Sequence, residues 1–332
     1  MFKDKTILIT GGTGSFGTNF INYFIRKKIN FKKILIFSRD EFKQFNIENN
    51  LPKNLKNKFR FFLGDVRDLD RLEFALRDVD YVIHAAALKH VPKAEYNPYE
   101  YIKTNILGTQ NIVQASLKTN VKKVISLSTD KASSPINLYG ATKLCADKLI
   151  TSANNIKGKK KIEFSVVRYG NVFGSRGSVI PKFLNINPNS TFPITHQDMT
   201  RFNISLEDAI DLVIWTLNNS FGGEVVVPIL SSYKIIDVAR SINPDIKLKY
   251  TGIRVGEKIH EEMISYNESR HTISLNDKYI ILPEYNLSKS IKFYKKFKGF
   301  KEIKKSFQYT SNQKKFLTVK ELQKLIDQFK NK

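Results

Sequence analysis

Two pairs of side chains that can move protons lie in one short stretch of the chain, STDKASSPINLYGATK at residues 128–143. Tyr139 and Lys143 are one helical turn apart, and a nearby ammonium favours the phenolate, which lowers the pKa of a tyrosine. Such a pair suits hydride chemistry, in which a hydroxyl proton leaves as the hydride is transferred. Asp130 and Lys131 add an acid and an amine to the same loop. The stretch therefore offers more proton carriers than hydride transfer alone requires.

Short apolar runs alternate with amphipathic segments through the first half of the chain and predict the elements that position these residues. Strands are predicted at 5–10, 33–38, 59–64, 81–87, 122–128 and 163–168. Helices are predicted at 15–27, 68–77, 97–119 and 138–155. This alternation, with strands apolar on both faces, indicates an α/β protein with a doubly wound parallel sheet of the Rossmann type. Such sheets bind ligands at the carboxyl ends of their strands.

The pattern becomes less regular after about Gly170, where Gly, Pro and Asn are frequent and long loops are expected. We therefore predict a dinucleotide-binding Rossmann domain over 1–170 and a smaller α/β substrate-binding domain formed mainly by 171–332. Some later segments are expected to return to the first domain.

The composition favours a soluble protein of the reducing cytoplasm. No apolar run approaches the roughly 20 residues that cross a bilayer, and we expect no signal peptide. Cys145 is the single cysteine, which excludes an internal disulfide framework. The formal net charge of +24 comes mainly from lysines spread along the whole chain, so we expect neither nucleic acid nor a membrane as a partner. We interpret the basic cluster at 288–305 as a solvated face, with attraction for an anionic small molecule as the alternative.

A glycine-rich turn, TGGTGSFG at 10–17, directly follows the first predicted strand and opens the first predicted helix. Glycines at this spacing let the backbone turn tightly and approach a pyrophosphate, which rests on the helix N-terminus. This context predicts a site for a nicotinamide dinucleotide. The residues expected to hold it at this turn are Gly11, Thr13, Gly14, Ser15, Phe16 and Gly17.

The end of the second predicted strand carries the residues that would distinguish NADP from NAD. Ser38 and Arg39, with Lys43 one helical turn on, suit a 2′-phosphate. Asp40 leaves NAD open, because a carboxylate there suits a free 2′-hydroxyl. We predict NADP. Further residues expected at the dinucleotide are Asp65, Val66, Ala85, Ala86, Lys89 and Thr104.

The chain resembles the extended short-chain dehydrogenase/reductases, and among them the inverting UDP-N-acetylglucosamine 4,6-dehydratases of pseudaminic acid synthesis. The motifs that carry the resemblance are ITGGTGSFG, SRDE, GDVRD, HAAALKHVP, EYNP, STDKA, INLYGATK, RYGNVFGSRGSVIP and MTRF. It runs from about residue 5 to 265 and more loosely to the end. A sister group of capsular-sugar dehydratases shares STDKA but has methionine at the position of Tyr139, which favours the pseudaminic acid branch.

The resemblance implies a hydro-lyase without net redox change, in which tightly bound NADP is recycled in each turnover. Its substrate would be UDP-N-acetylglucosamine and its product UDP-2-acetamido-2,6-dideoxy-β-L-arabino-hexos-4-ulose. That reaction is the first step toward pseudaminic acid, a sugar used to glycosylate flagellin or other surface structures. Relatives dimerise through the helices that correspond to 97–119 and 138–155, which implies a homo-oligomer, either a dimer or a higher assembly such as a hexamer.

The resemblance also implies a role for each residue of the loop. Tyr139 would take the proton of the C4 hydroxyl, while Lys143 holds the ribose and lowers the pKa of the tyrosine. Asp130 would protonate the departing C6 hydroxyl, and Lys131 would remove the C5 proton. Thr129 would hydrogen-bond the C4 oxygen. Because a lysine is a base only when neutral, we expect burial and the neighbouring Lys143 to lower the pKa of Lys131.

Substrate contacts are implied in the same way, and they lie mainly in the second half of the chain. They are Lys89, Lys131, Asn171, Val179, Arg201, Arg254, Glu257 and Asn312. No pair of histidines has metal-ligand spacing, so no metal is expected. Two alternatives stay open. One is another UDP-sugar epimerase, reductase or dehydratase, such as an enzyme of the capsular N-acetyl-L-fucosamine pathway. The other is a non-enzymatic regulator that binds a dinucleotide.

Overall fold

A large, mostly parallel β-sheet lies at the centre of the computed structural model, which describes residues 2–175, 177–187, 190–313 and 315–330. The strands β1 to β9, in chain order, are Thr6–Thr10, Lys33–Ser38, Phe59–Leu63, Tyr81–His84, Lys123–Thr129, Glu163–Tyr169, Asn171–Val172, Phe192–Ile194 and Thr200–Ile204. The strands β10 to β17 are Val225–Pro228, Ser232–Lys234, Leu248–Tyr250, Glu262–Ile264, Thr272–Leu275, Lys278–Ile281, Phe300–Glu302 and Tyr309–Thr310.

Helices flank this sheet and connect its strands. The α-helices α1 to α7 are Ser15–Arg26, Glu41–Asn49, Leu69–Ala75, Val91–Tyr96, Pro98–Tyr101, Gly108–Lys118 and Leu138–Ile156. The α-helices α8 to α13 are Val179–Leu184, Leu206–Asn219, Ile235–Ile242, Tyr266–Ser269, Leu287–Tyr294 and Val319–Lys330. Short 3₁₀ helices cover Lys53–Lys58, Asp130–Ala132 and Glu284–Asn286, and Ile102–Leu107 form a π-helix. None of the described helices has the length and apolar character that a bilayer crossing requires.

The strand order confirms the predicted doubly wound α/β fold. Among the described residues, the large sheet runs β16-β14-β15-β10-β6-β5-β4-β1-β2-β3. The strands from β3 to β10 are parallel, whereas β15, β14 and β16 are antiparallel additions from the second half of the chain. The chain reverses its direction of winding between β1 and β4, and such a switch point opens a crevice at the strands' carboxyl ends.

All six predicted strands are present, and five of them end within one residue of the prediction. The exception is β4, which ends at His84, so that Ala85 and Ala86 belong to the following loop. The predicted helix 97–119 is also interrupted, because a π-helical turn lies between α5 and α6. This turn brings Asn105 to the loop after β4, where its side chain bonds both the N–H and the C=O of Leu88, at 2.8 and 2.9 Å. Helical periodicity does not reveal such a turn, because Leu88, the hydrogen-bond partner of Asn105, lies in a different loop.

Arg168, on β6, is the centre of a buried ionic network that joins the first half of the chain to the second. Its side chain is 1% exposed. It donates to Asp147 of α7 at 3.2 Å and to Glu268 of α11 at 2.9 Å. It also donates to the backbone carbonyl of Met263 in β13 at 3.0 Å. The buried Asp147 carboxylate depends largely on this guanidinium for charge compensation, whereas Glu268 keeps partial access to water.

We expect Arg168→Met to lower the free energy of unfolding by about 3–5 kcal/mol, because it removes the ion-pair partner of the buried Asp147 carboxylate. The matched control is Lys295→Met, which breaks an exposed 3.0 Å ion pair with Glu302. That change should cost about 0–1 kcal/mol. Urea unfolding followed by circular dichroism measures both values. Equal losses in the two variants would contradict a stabilising role for the buried network.

Candidate active site

A cleft of about 1050 Å³ opens along the carboxyl ends of the parallel strands. Most of the site residues predicted from the sequence lie on its walls, although they come from turns and loops far apart in the chain. These residues are Gly11, Thr13, Gly14, Ser15, Phe16, Ser38, Arg39, Asp40, Lys43, Asp65, Val66, Ala85, Ala86, Lys89, Thr104, Thr129, Asp130, Lys131, Tyr139, Lys143, Asn171 and Arg254.

A smaller cavity of about 250 Å³ adjoins the cleft, and Lys131, Asn171 and Arg254 line both. It contains the predicted substrate residues Val179, Arg201 and Glu257. Two predicted residues lie on neither wall. The exposed Asn312 accepts a hydrogen bond from Thr310, and Gly17 packs against Gly12, where an added Cβ would lie 2.3 Å from the carbonyl oxygen.

The glycine turn has the shape that a dinucleotide pyrophosphate requires. Gly11 has φ +62°, a conformation that favours glycine, and an added Cβ would lie 2.9 Å from Cα of Ala86. Helix α1 begins after Gly14, which has no side chain to cap the first N–H groups of the helix. These N–H groups and the positive end of the helix dipole can therefore bind an anion that enters the cleft.

The end of β2 presents cationic and hydroxyl groups to the cleft, whereas its carboxylate is engaged locally. Asp40 caps helix α2 through the N–H of Lys43 at 2.9 Å and also pairs with the ammonium of that lysine. These bonds hold the pKa of Asp40 below its usual value. Ser38 accepts a hydrogen bond from Gln44 at 2.9 Å, which leaves its hydroxyl hydrogen able to donate. Arg39 is half exposed on the same wall.

Tyr139 and Lys143 lie on α7 and are both buried in the cleft wall. Burial raises the pKa of Tyr139 to about 12, opposed mainly by the positive charge of Lys131. The Lys143 ammonium donates to the backbone carbonyl of Leu127 at 2.8 Å, and a lowering of the Tyr139 pKa by Lys143 stays a prediction. Burial lowers the pKa of Lys143 itself, and Asp147 opposes that change.

Asp130 follows β5 directly and has no exposed surface. Its Oδ1 accepts hydrogen bonds from the Thr129 hydroxyl at 2.9 Å and from the Lys131 ammonium at 3.1 Å. Among the described residues, nothing bonds its buried Oδ2. Burial raises the pKa of Asp130, and the nearby Glu261 carboxylate adds to this effect. Burial thus stabilises the protonated form of Asp130 relative to water, the Lys131 ammonium stabilises its carboxylate, and one oxygen is available to a ligand.

Lys131 is held between two carboxylates, which corrects the expectation drawn from the sequence. Its Nζ lies 3.1 Å from Asp130 and 2.9 Å from Glu261. Burial alone would lower the pKa of Lys131, but these two carboxylates outweigh it and raise the pKa above its ordinary value. The prediction of a lowered pKa was wrong because it left out the attraction of the adjacent Asp130 and of Glu261 for the ammonium.

Glu261 was not singled out in the sequence, although it is the residue that most changes the interpretation of the loop. It stands in the motif IRVGEKIHE, 130 positions beyond Lys131, and nothing in that spacing indicates a contact. The same motif contains Glu257, the glutamate that the resemblance favoured. Among the described residues, no group of three or more His, Cys, Asp or Glu side chains is arranged to hold a metal ion.

Comparisons with known proteins show the family to which this fold and site belong. Residues 7–283 match the family described as Polysaccharide biosynthesis protein. The UDP-N-acetylglucosamine 4,6-dehydratase (inverting) of Campylobacter jejuni subsp. jejuni serotype O:23/36 (strain 81-176) is 48% identical over 98% of this chain and 98% of its own. The UDP-glucose 4-epimerase of Rickettsia bellii (strain OSU 85-389) is 41% identical over 98% of this chain and 96% of its own.

Solved structures give the same result. The X-ray structure of Pen from Bacillus thuringiensis is 37% identical, covers 99% of both chains and superposes with a TM-score of 0.88. The dTDP-glucose 4,6-dehydratase DesIV from Streptomyces venezuelae, solved with NAD and TYD bound, shares the fold with a TM-score of 0.69 at 19% identity. It covers 87% of this chain and 97% of its own. The chain belongs to the Polysaccharide biosynthesis protein family, within the extended short-chain dehydrogenase/reductases, and the resemblance found in its motifs is confirmed.

We expect Gly11→Ala to weaken dinucleotide binding by at least about tenfold, because the new Cβ forces the turn away from Ala86. Gly158→Ala is the matched control, since Gly158 has a similar φ of +58° but nothing within 4 Å of an added Cβ. Both changes strain the backbone, but only Gly11→Ala creates a close contact with Ala86. Only this variant should therefore alter the dissociation constant for the dinucleotide, measured by titration calorimetry. The same affinity in both variants would exclude the turn as the binding site.

Proposed function

We propose that this protein is a UDP-N-acetylglucosamine 4,6-dehydratase that inverts C5. The observation that carries the proposal is the buried Asp130 carboxyl, which lines the cleft with Lys131 and Tyr139 and whose Oδ2 has no hydrogen-bond partner among the described residues. A plain epimerase or reductase has no use for an additional acid and amine next to the tyrosine. The Campylobacter relative, of nearly equal length, supports the same reaction and substrate.

The residues of the loop can divide the proton transfers among themselves. When bound, the oxidised dinucleotide would accept the hydride of C4 and later return it to C6. Tyr139 would accept the proton of the C4 hydroxyl, with Thr129 at the same oxygen. The positive charge of Lys131 favours the phenolate that this step needs. Lys143, in the wall of the cleft, would bind a ribose of the dinucleotide.

Water elimination requires an acid at the C6 hydroxyl and a base at C5. The ammonium of Lys131 can pass one proton to the Asp130 carboxylate across their 3.1 Å hydrogen bond. This single transfer produces a neutral amine, which can remove the C5 proton, and a carboxylic acid, which can protonate the leaving hydroxyl. Return of a proton to the opposite face of C5 then gives the L-configured 4-keto sugar.

We expect purified protein to convert UDP-N-acetylglucosamine without added cofactor into a 6-deoxy-4-keto sugar. NMR in D2O should show deuterium at C5 and the inverted configuration, because C5 is reprotonated from solvent-exchanged groups. Tyr139→Phe is the matched variant and should lower turnover about 10²–10⁴-fold. A C4 epimer that keeps its C6 hydroxyl, or net consumption of NADPH, would contradict the proposed reaction.

A UDP-sugar 4-epimerase is the second candidate, favoured by the 41% identity to the Rickettsia proteins that carry that name. It would use the same cofactor site and Tyr139. The NMR experiment separates the two candidates, because only dehydration removes the C6 hydroxyl and exchanges the C5 hydrogen.

For the cofactor we propose NADP rather than NAD. Ser38 and Arg39 line the cleft at the end of β2 and suit a 2′-phosphate. Asp40, the group that would suit a free 2′-hydroxyl, is engaged with the N-terminus of α2 and with Lys43. The local hydrogen bonds therefore favour the phosphorylated dinucleotide.

We expect Arg39→Ala to raise the dissociation constant for NADP about tenfold while leaving that for NAD unchanged, because only NADP offers a phosphate to the guanidinium. The control is Arg60→Ala, which removes an exposed arginine of the neighbouring strand β3 that does not line the cleft. Equal losses for both dinucleotides would contradict the assignment of the phosphate site.

We further propose how the two halves of the chain share the site, and where and in which pathway the protein acts. Residues 1–170 would hold the dinucleotide, and 171–332 would contribute most of the UDP-sugar site through Arg201, Arg254 and Glu257. The protein would act in the cytoplasm as a homo-oligomer. Its product would enter pseudaminic acid synthesis for flagellin or other surface glycans.

A further inference from the structure

Glu261 lines the smaller cavity beside Lys131, and Lys131 also lines the cleft with Asp130 and Tyr139, the part of the cleft that we call the reacting end. Glu261 immediately precedes β13 and is 2% exposed. Two hydrogen bonds to Ser311 fix its backbone. The Ser311 hydroxyl oxygen accepts from the Glu261 N–H at 3.0 Å, and the Ser311 N–H donates to the Glu261 carbonyl at 2.8 Å. These bonds fix the backbone from which the carboxylate extends.

The Oε1 atom of Glu261 is shared by two cations. It lies 2.9 Å from the Lys131 ammonium and 3.6 Å from Nε of Arg201. Arg201 is itself buried and donates to the backbone carbonyls of Thr200 and Ile259 at 2.7 and 3.1 Å. A carboxylate in this place links the lysine of the reacting end to the arginine of the adjoining cavity.

We propose that Glu261 is a positioning residue for the dehydration: its buried carboxylate holds the Lys131 ammonium against Asp130 and, through Arg201, joins the reacting end of the cleft to the smaller cavity. This inference rests on the proposed function. It assigns to Glu261 no contact with the reacting atoms. Its effect is exerted through the place and the charge of Lys131.

The electrostatics of the site agree with this role. Burial would raise the pKa of Glu261, but Lys131 and Arg201 outweigh it and lower that pKa, so the carboxylate stays ionised. It then stabilises the ammonium of Lys131 and disfavours a negative charge on Asp130. Other titratable or charged groups that act on the Lys131–Glu261 pair, or respond to it, are Asp130, Lys89, Tyr139, Arg201, Tyr233 and Lys258.

The first arm of the test measures the charge of Lys131 without turnover. Acetic anhydride acylates only neutral amines, so the labelling rate of Lys131 at pH 8, relative to exposed lysines in the same digest, reports its amine fraction. Glu261→Gln removes one of two negative charges beside the ammonium and should lower the pKa of Lys131. We expect the relative rate to rise about tenfold for each pKa unit lost, and an unchanged rate would overturn the proposal.

The second arm measures catalysis in the same preparations, by NMR of UDP-N-acetylglucosamine conversion in D2O. Glu261→Gln should lower kcat about 100-fold, because the reacting amine is displaced, while bound dinucleotide is retained. Wild-type kcat in this variant would overturn the proposal. If the wild-type protein itself yields no 6-deoxy-4-keto product, the proposed reaction is excluded, and the labelling arm still decides whether Glu261 controls Lys131.

Glu224→Gln is the matched control for loss of a buried glutamate. Glu224 is fully buried just before β10, at the amino end of the parallel strands and so away from the cleft. It accepts hydrogen bonds from Ser165 and from the N–H of Gly222, both at 2.9 Å. This variant should keep the wild-type labelling rate of Lys131 and wild-type turnover. The same changes as in Glu261→Gln would show a general loss of packing and would overturn the proposal.

Discussion

Parallel strands that are apolar on both faces are stable only where helices cover both faces of the sheet, and this constraint organises the molecule. Each strand must be followed by a crossover, so the loops at the strands' carboxyl ends collect along one edge. The glycine turn after β1 and the Asp130–Ala132 turn after β5 meet there for this reason. The reversal of winding between β1 and β4 separates neighbouring crossovers and leaves room for the cleft.

The cleft is also where burial acts most strongly on charge. Asp130, Tyr139 and Lys143 are all less than 10% exposed, and burial disfavours the charged form of each. Such groups remain useful only if opposite charges or hydrogen bonds are placed beside them. The second half of the chain supplies one of these partners, since Glu261 pairs with Lys131. Farther from the reacting end, Glu268 pairs with Arg168 in the same way.

Much of the fold could be predicted from the sequence because strands and helices of this type depend on local periodicity. Strand β2 agrees with its predicted bounds at both ends, and helix α7 differs from its prediction by one residue. The π-helical turn at Ile102–Leu107 was not predicted, because Asn105 has its partner Leu88 in another loop. A return of later segments to the first domain was expected, but the antiparallel strands β14, β15 and β16 were not predicted, since their pairing depends on free sheet edges and not on local pattern.

The candidate site, like the fold, could be predicted from the sequence only in part. The sequence alone determined which residue types could carry the chemistry, because the glycine turn, Asp130-Lys131 and Tyr139-x-x-x-Lys143 are local motifs with fixed geometry. Only the tertiary structure placed Glu261 beside Lys131 as a second anion next to Asp130, because Coulomb energy depends on distance in space and Glu261 lies 130 positions away in the chain but 2.9 Å away in the fold.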